Sequence, residues 1–477
     1  MPMVQTLVPV HGPGCRFAWS RIFAASFTLA VAALARAETI PVGQLIERIE
    51  CADEAAHSYA LYLPSSCDGS KPLPVVYCFD PRARGIRAIE RFRDGAEKFG
   101  YILVGSNNSR NGPWESNAKA AQILVRDTVA RLPIHRQRIY TAGLSGGARV
   151  AVRLAMTGLS RGVIACGAGF PGDVPEQVGF SFFGTAGVDD CNYDELRRVD
   201  DELDKRGSPH RVALFTGGHE WPPAALGVEA IEWLEIEAMR SALRGRDEAM
   251  IDAVFRVRLA AIPTAQPGAW LETKSLAADF RGLRDTADLE KQAKEMEASR
   301  EIRDWRKLER RAESEVQNVV SEIVESAMSG VIEERIIATR RKQADAADDS
   351  PRRRVARRAL QGASISLEQS ARSMGTAGDY AMAATLFEAV LAVQPDRTGV
   401  YFDLARAHAM DRKKKAAIAD LQRGAAAGYS DPDRVEKEEA FESLRTDPAF
   451  PGIIAAMTRN AAAKKQAEAR SAPAAGN

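Results

Sequence analysis

The stretch Tyr140-Thr141-Ala142-Gly143-Leu144-Ser145-Gly146-Gly147 reads as the end of a strand, a tight turn and the start of a helix. Residues Arg138 to Gly143 have strand character, and apolar positions from Ser145 to Thr157 recur at helical spacing. Gly143, Ser145 and Gly147 give G-x-S-x-G in the strand-turn-helix setting that makes the motif meaningful. A serine at such a turn sits on strained backbone, so small residues must flank it. Its hydroxyl then projects above the sheet edge, beside a helix N-terminus that favours developing negative charge. Ser145 is the candidate nucleophile.

Outward from this turn, short apolar runs alternate with helical patterns from Glu38 to about Leu243. Gln44 to Cys51 and Tyr59 to Leu63 read as an opening hairpin. Pro74 to Phe79 is a continuous apolar run, as a strand buried on both faces requires. Further strands are expected at Tyr101 to Gly105, Val163 to Cys166, Phe180 to Gly184 and Arg211 to Phe215. Helical spacing spans Ile86 to Phe99, Ser116 to Leu132, Tyr193 to Arg206 and Pro222 to Leu243. This alternation implies an α/β fold with a mostly parallel sheet covered on both sides.

A serine nucleophile needs a base, and in this strand-helix order the acid precedes the histidine. His210, His219 and His408 follow Ser145. His210 leads into a strand and His408 lies in a helix, whereas His219 sits in Thr216-Gly217-Gly218-His219-Glu220-Trp221 directly after a strand. That loop can carry an imidazole over the sheet to the serine. The acid belongs to Gly187-Val188-Asp189-Asp190, where Asp190 has the favoured spacing and Asp189 competes. An oxyanion site needs two backbone N–H donors. Gly146 is one. The other is expected in Asp80-Pro81-Arg82, where Pro81 has no N–H, so the donor is Arg82 or Asp80, with Arg82 preferred. The polar loop Asn107 to Trp114 ends another strand on the same edge and either lines the substrate site or is a plain turn.

On these residues, positions 38–245 resemble the α/β-hydrolase superfamily, near its dienelactone-hydrolase and polyhydroxybutyrate-depolymerase-like serine esterases. The Ser145 turn, the Asp190 loop and the Gly-Gly-His219-Glu-Trp-Pro run carry the resemblance. It implies hydrolysis of a small-molecule carboxylic ester through a Ser145–His219–Asp190 triad and an acyl-enzyme, with no metal or organic cofactor. Two departures stand out. Asp80-Pro81 replaces the family's common His-Gly, and a dienelactone hydrolase proper has cysteine where this chain has Ser145. An amidase or peptidase would use the same residues, and a catalytically degenerate binding module is the alternative of another class.

The remaining chain reads differently. At 477 residues it exceeds one ordinary core, and its 65 Lys and Arg nearly balance 64 Asp and Glu. Net charge thus gives no reason to expect nucleic acid as a partner. Positions 246–360 form a helical linker with one or two long amphipathic helices over 287–342. The cluster Arg352, Arg353, Arg354, Arg357 and Arg358 reads as a solvated helix face. Within 361–460, Ala371 recurs as Ala405, Ala383 as Ala417 and Phe387 as Leu421, each at the tetratricopeptide spacing of 34. Such repeats imply recruitment of a protein partner, separate from the chemistry. The tail 461–477, rich in Ala, Lys and Pro, reads as disordered.

Positions 1–37 read as a cleaved signal peptide, with Arg16 and Arg21 before an apolar run from Ile22 to Ala35 and an Ala35-Arg36-Ala37 cleavage site. No later segment reads as transmembrane. The expected location is periplasmic or secreted. Five of the six cysteines follow this segment, so at least one thiol is free or pairs between chains. Mass spectrometry of protein from the cell envelope should find a mature N-terminus at Glu38. An intact Met1 terminus on soluble cytoplasmic protein would contradict export.

Overall fold

The computed structural model describes residues 40–471. The candidate signal segment lies outside them. Eight strands form one sheet: β1 (Leu45–Glu50), β2 (Ser58–Tyr62), β3 (Leu73–Phe79), β4 (Ile102–Ser106), β5 (Ile134–Leu144), β6 (Gly162–Cys166), β7 (Ser181–Gly187) and β8 (His210–Phe215). Their order is β1-β2-β4-β3-β5-β6-β7-β8. The β1–β2 and β2–β4 pairings are antiparallel, and every pairing from β4 to β8 is parallel. Strand order, helical crossovers and the antiparallel start make this the α/β-hydrolase fold.

The apolar runs are buried because helices cover both faces. β4, β6 and β7 are buried along their whole length. β1 lies at the edge and carries Glu47, Arg48 and Glu50, charges that discourage further strand pairing. One face of the sheet packs Val76, Tyr140, Ile164 and Phe183 against Ile231, Trp233 and Leu234 of the helix Ala224–Arg240. The helix expected over Ile86 to Phe99 is broken into Gly85–Glu90 and Arg93–Phe99. Its break lies under that same covering helix. A Cβ on Gly227 would fall 2.0 Å from the Arg91 carbonyl oxygen, so the two backbones are in contact there.

After the sheet, all described residues outside loops are helical. The helices Glu248–Ala260 and Gly268–Phe280 share a core with the covering helix through Ile236, Met239, Ile251, Leu276 and Phe280. The Trp233 indole N–H donates to Asp279 at 2.7 Å across this contact. The 287–342 region holds three helices, Ala287–Glu297, Arg300–Met328 and Glu334–Ala344. Gly330, with φ of +81°, turns the chain after the second. The region with the 34-residue recurrence holds Pro351–Thr376, Tyr380–Val393, Thr398–Met410 and Lys414–Ala426, each packed on the next. Gly424, where the first copy has Val390, lies under Tyr401, whose Cβ a side chain at 424 would approach to 2.8 Å.

Two expectations are corrected. The tail from Ala461 is not disordered throughout, because Phe450–Ser471 is one helix. Alanine is the best helix former, and Asn460 anchors the helix by donating to the carbonyls of Ala425 and Tyr429. The basic cluster is not a uniformly solvated face. Arg358 is 2% exposed, and Arg357 is only partly exposed.

Glu237 lies buried on the covering helix, beside Arg240 and Asp279, and one of its oxygens has no partner among the described residues. Burial pushes its carboxyl up to about 7, against the attraction of Arg240. A raised carboxyl favours the folded state below the unfolded value of 4.5, and this advantage is lost as pH rises toward 7. Glu237→Gln should therefore leave the unfolding midpoint nearly unchanged at pH about 4 and raise stability by on the order of 3 kcal/mol at pH about 8. Urea melts at the two pH values read this difference; equal effects at both would refute it.

Candidate active site

Ser145 occupies the turn between β5 and the helix Gly146–Met156, with φ 55° and ψ −120°. That left-handed φ is uncommon for any residue with a Cβ. Three glycines make the turn feasible, each for a separate steric reason. A Cβ on Gly143 would lie 2.2 Å from the Gly147 carbonyl oxygen. One on Gly147 would lie 2.0 Å from the Phe79 carbonyl oxygen, at the end of β3. One on Gly146 would lie 1.9 Å from Oδ1 of Asn111. The Ser145 N–H is not free to serve a ligand, since it donates to the Cys166 carbonyl at 2.8 Å.

Asp190 and His219 meet as expected. Nδ1 of His219 is 2.9 Å from Oδ1 of Asp190, which is fully buried. The same oxygen accepts the Asn192 backbone N–H at 2.8 Å. Gly167, the residue after Cys166, lies against the pair. A Cβ there would be 3.0 Å from Oδ2 of Asp190 and 3.2 Å from Nδ1 of His219. Cys166 thus caps the serine turn while its neighbour packs on the acid–histidine pair, which brings all three residues to one sheet edge. Asp189 is not hydrogen-bonded to His219. Its Oδ2 accepts from Nη1 of Arg357 at 2.9 Å, on the other side of the loop. His210 and His408 lie elsewhere, hydrogen-bonded to the Ser208 carbonyl and to Asp420.

Arg82 does not offer the expected free N–H. Its backbone N–H donates to Oδ1 of Asp80 at 2.8 Å. Asp80 is buried and also accepts from Nε and Nη2 of Arg84, both at 2.9 Å, and from the Trp221 indole at 3.1 Å. An aspartate commonly accepts the N–H two residues on, and Asp80-Pro81-Arg82 carries that signal in sequence. In sequence, the polar groups and Trp114 of the Asn107 to Trp114 loop are candidates to line the site. Asn111 is the one that reaches Gly146. Its N–H donates to the Pro81 carbonyl at 2.9 Å, and Arg82 and Arg110 form a short antiparallel bridge. Trp114 carries the Arg153 guanidinium 4.5 Å over its ring.

Asp190, Cys191 and His219 put three potential metal-ligating atoms within 4.8 Å of one another. The residues do not suit a metal. His219 already spends Nδ1 on Asp190, and burial together with the Asp190 charge pushes the Cys191 thiol well up, away from the thiolate a metal needs. The five cysteines among the described residues are all free thiols. No described helix is long and apolar enough to cross a membrane.

No protein-family model and no curated protein matches the chain. Among solved structures it is similar to an S-formylglutathione hydrolase from Staphylococcus aureus, at 14% identity and TM-score 0.29 over 37% of this chain and 87% of that one. It is also similar to a ferulic acid esterase, at 16% identity and TM-score 0.33 over 40% of this chain and 97% of that one. A third is an esterase from Pyrobaculum calidifontis, at 15% identity and TM-score 0.34 over 43% of this chain and 86% of that one. At such TM-scores these likenesses carry no argument, and the site stands on its own geometry.

The glycine contacts rank two substitutions. Gly147→Ala meets the backbone at the end of β3 and should destabilise the protein by about 3 kcal/mol or more, because backbone has little room to shift. Gly146→Ala meets only the end of the Asn111 side chain and should cost distinctly less. Chemical denaturation of both variants checks the order; equal losses would overturn it.

Proposed function

We propose that the protein is a serine hydrolase of carboxylic esters. The observation that carries the reading is a serine held at positive φ on a strand-helix turn, with a hydrogen-bonded histidine–aspartate pair packed on the adjoining Gly167. His219 accepts the Ser145 proton through Nε2 as the hydroxyl oxygen attacks the ester carbonyl. Asp190, buried and bonded to Nδ1, holds the tautomer that leaves Nε2 free and stabilises the imidazolium once formed. The tetrahedral oxyanion is met by the Gly146 N–H at the helix N-terminus. Asn111 supplies the nearest side-chain amide for a second donor, in place of Arg82. His219 then returns the proton to the departing alkoxide. Water, deprotonated by the same imidazole, attacks the acyl-enzyme and regenerates Ser145 with release of the acid. No step calls on a cofactor.

The same reading places the enzyme outside the cytoplasm, on the strength of the sequence of positions 1–37. The helix pairs from Tyr380 to Ala426 are proposed to receive a protein partner, because stacked helix pairs with a 34-residue recurrence commonly do.

Ser145→Ala should lower kcat on a p-nitrophenyl ester by on the order of 10⁴-fold or more and abolish labelling by a fluorophosphonate probe. Asp190→Asn should cost far more than Asp189→Asn, since the Asp189 carboxylate is hydrogen-bonded to Arg357 and not to His219. Retained turnover in Ser145→Ala, or the opposite order of the two aspartates, would remove the corresponding assignment.

A further inference from the structure

The helix Pro351–Thr376 is far from Asp190 in sequence yet lies on the loop that carries it. Nε of Arg358 donates to the Val188 carbonyl at 2.8 Å. Nη1 of Arg357 donates to Asp189 at 2.9 Å. Oε1 of Gln361 accepts the Cys191 backbone N–H at 2.9 Å. The Arg358 guanidinium also lies 3.6 Å over the Tyr193 ring and 3.5 Å from the Asp194 carboxylate. One helix face therefore grips the loop immediately before, beside and after Asp190.

The same face reaches the histidine loop. Nε2 of Gln361 is the nearest atom to Gly218, where an added Cβ would approach it to 3.2 Å. Gly218 directly precedes His219. A single side chain, Gln361, thus touches both of the loops that must hold the acid against the base. Arg358 is almost fully buried at this contact. A buried cation is tolerated only where partners compensate its lost hydration, so this is a built contact and not a chance surface encounter.

The sheet half holds these loops through its backbone, with the Val188 and Asp189 N–H groups donating to the Phe215 and Gly217 carbonyls at 2.9 Å, but it gives the Asp190 side chain few partners. Oδ1 of Asp190 has the Asn192 N–H as its one anchor besides His219, and Oδ2 has no partner among the described residues. We infer that Gln361, supported by Arg357 and Arg358, is a positioning residue for the Asp190–His219 pair, so that the helical half of the protein completes the active site of the sheet half. This rests on the proposed triad. A misplacement of about 1 Å in such a constellation can cost about 10²-fold in rate.

The experiment uses full-length protein. Gln361→Leu keeps the side chain's bulk and removes the hydrogen bond to the Cys191 N–H. Gln361→Glu keeps the acceptor for the Cys191 N–H, with Arg357 and Arg358 beside it to balance the added charge. Arg352→Ala, exposed on the first turn of the same helix, is the control. Three quantities are read: kcat and KM on a p-nitrophenyl ester, the thermal midpoint, and the downfield proton resonance of the His219 Nδ1–H bonded to Asp190. Gln361→Leu should stay folded, lose about ten- to a hundredfold in kcat with KM nearly unchanged, and weaken or lose the downfield resonance. Gln361→Glu should recover most of the loss, and Arg352→Ala should behave as wild type.

The inference is overturned if Gln361→Leu keeps both kcat and the resonance. It is also overturned if kcat, KM and thermal midpoint all worsen together and Gln361→Glu restores none of them, since that pattern marks a purely structural contact. Should Gln361→Leu fail to fold, the partly exposed Arg357→Gln tests the same loop, and an unchanged kcat and resonance there would equally refute the inference. If wild-type protein neither hydrolyses the ester nor takes the fluorophosphonate, the triad reading fails. The resonance comparison then still decides whether Gln361 positions the pair.

Discussion

Where the helix after Ser145 leaves the sheet, backbone touches backbone with no room for a side chain between. Gly147 lies on the Phe79 carbonyl of β3, and Gly143 of β5 lies on the Gly147 carbonyl. This crowding brings the helix start down onto the two central strands. Ser145 is left with a left-handed φ, and its N–H is consumed by the Cys166 carbonyl. The strand order does the rest. With β5 central, the loops after β6, β7 and β8 converge on one side of the serine and the loops after β3 and β4 on the other.

Buried charge then fixes the loops that converge. On one side Asp80 gathers Arg84, the Arg82 N–H and the Trp221 indole, which ties the loop after β3 to the segment that follows His219. On the other side Gln361 and Arg358 tie the helical half to the Asp190 loop and to Gly218. The histidine loop is held before His219 by the Asp189 N–H on the Gly217 carbonyl and after it by Asp80 on the Trp221 indole. A carboxylate or guanidinium removed from water needs several partners in good geometry, and each partner it recruits becomes a constraint on the backbone that carries it.

Much of this was legible before any coordinates. The β3, β4 and β6 runs announce themselves as unbroken apolar segments, and the Ser145 turn by its glycines. Asp190 and His219 were found from order and loop setting, and the structure brings them within hydrogen-bonding distance. The misreadings share a cause. In sequence only Pro81 lacks an N–H, so Arg82 reads as a donor, whereas the buried Asp80 side chain claims that N–H. Arg357 and Arg358 looked like solvent-facing charge because their partners are remote in sequence. The break at Arg91 is imposed by Gly227, a residue on another helix.

By itself the sequence determined the α/β-hydrolase order of elements and the serine turn, and it singled out Asp190 and His219, which the structure joins by a hydrogen bond. Each of these is written in local terms: periodicity of apolar residues, absence of Cβ atoms at a crowded turn, and loop residues directly after a strand. Only the tertiary structure decided which side chains claim the N–H groups of Arg82 and Cys191, and that the helical half lies against the Asp190 loop. Those outcomes depend on which buried polar group meets which, and here the partners lie as far apart as Cys191 and Gln361 or Asp80 and Trp221. Burial strengthens such pairings and makes an unpaired group costly, yet no local pattern in the chain records them.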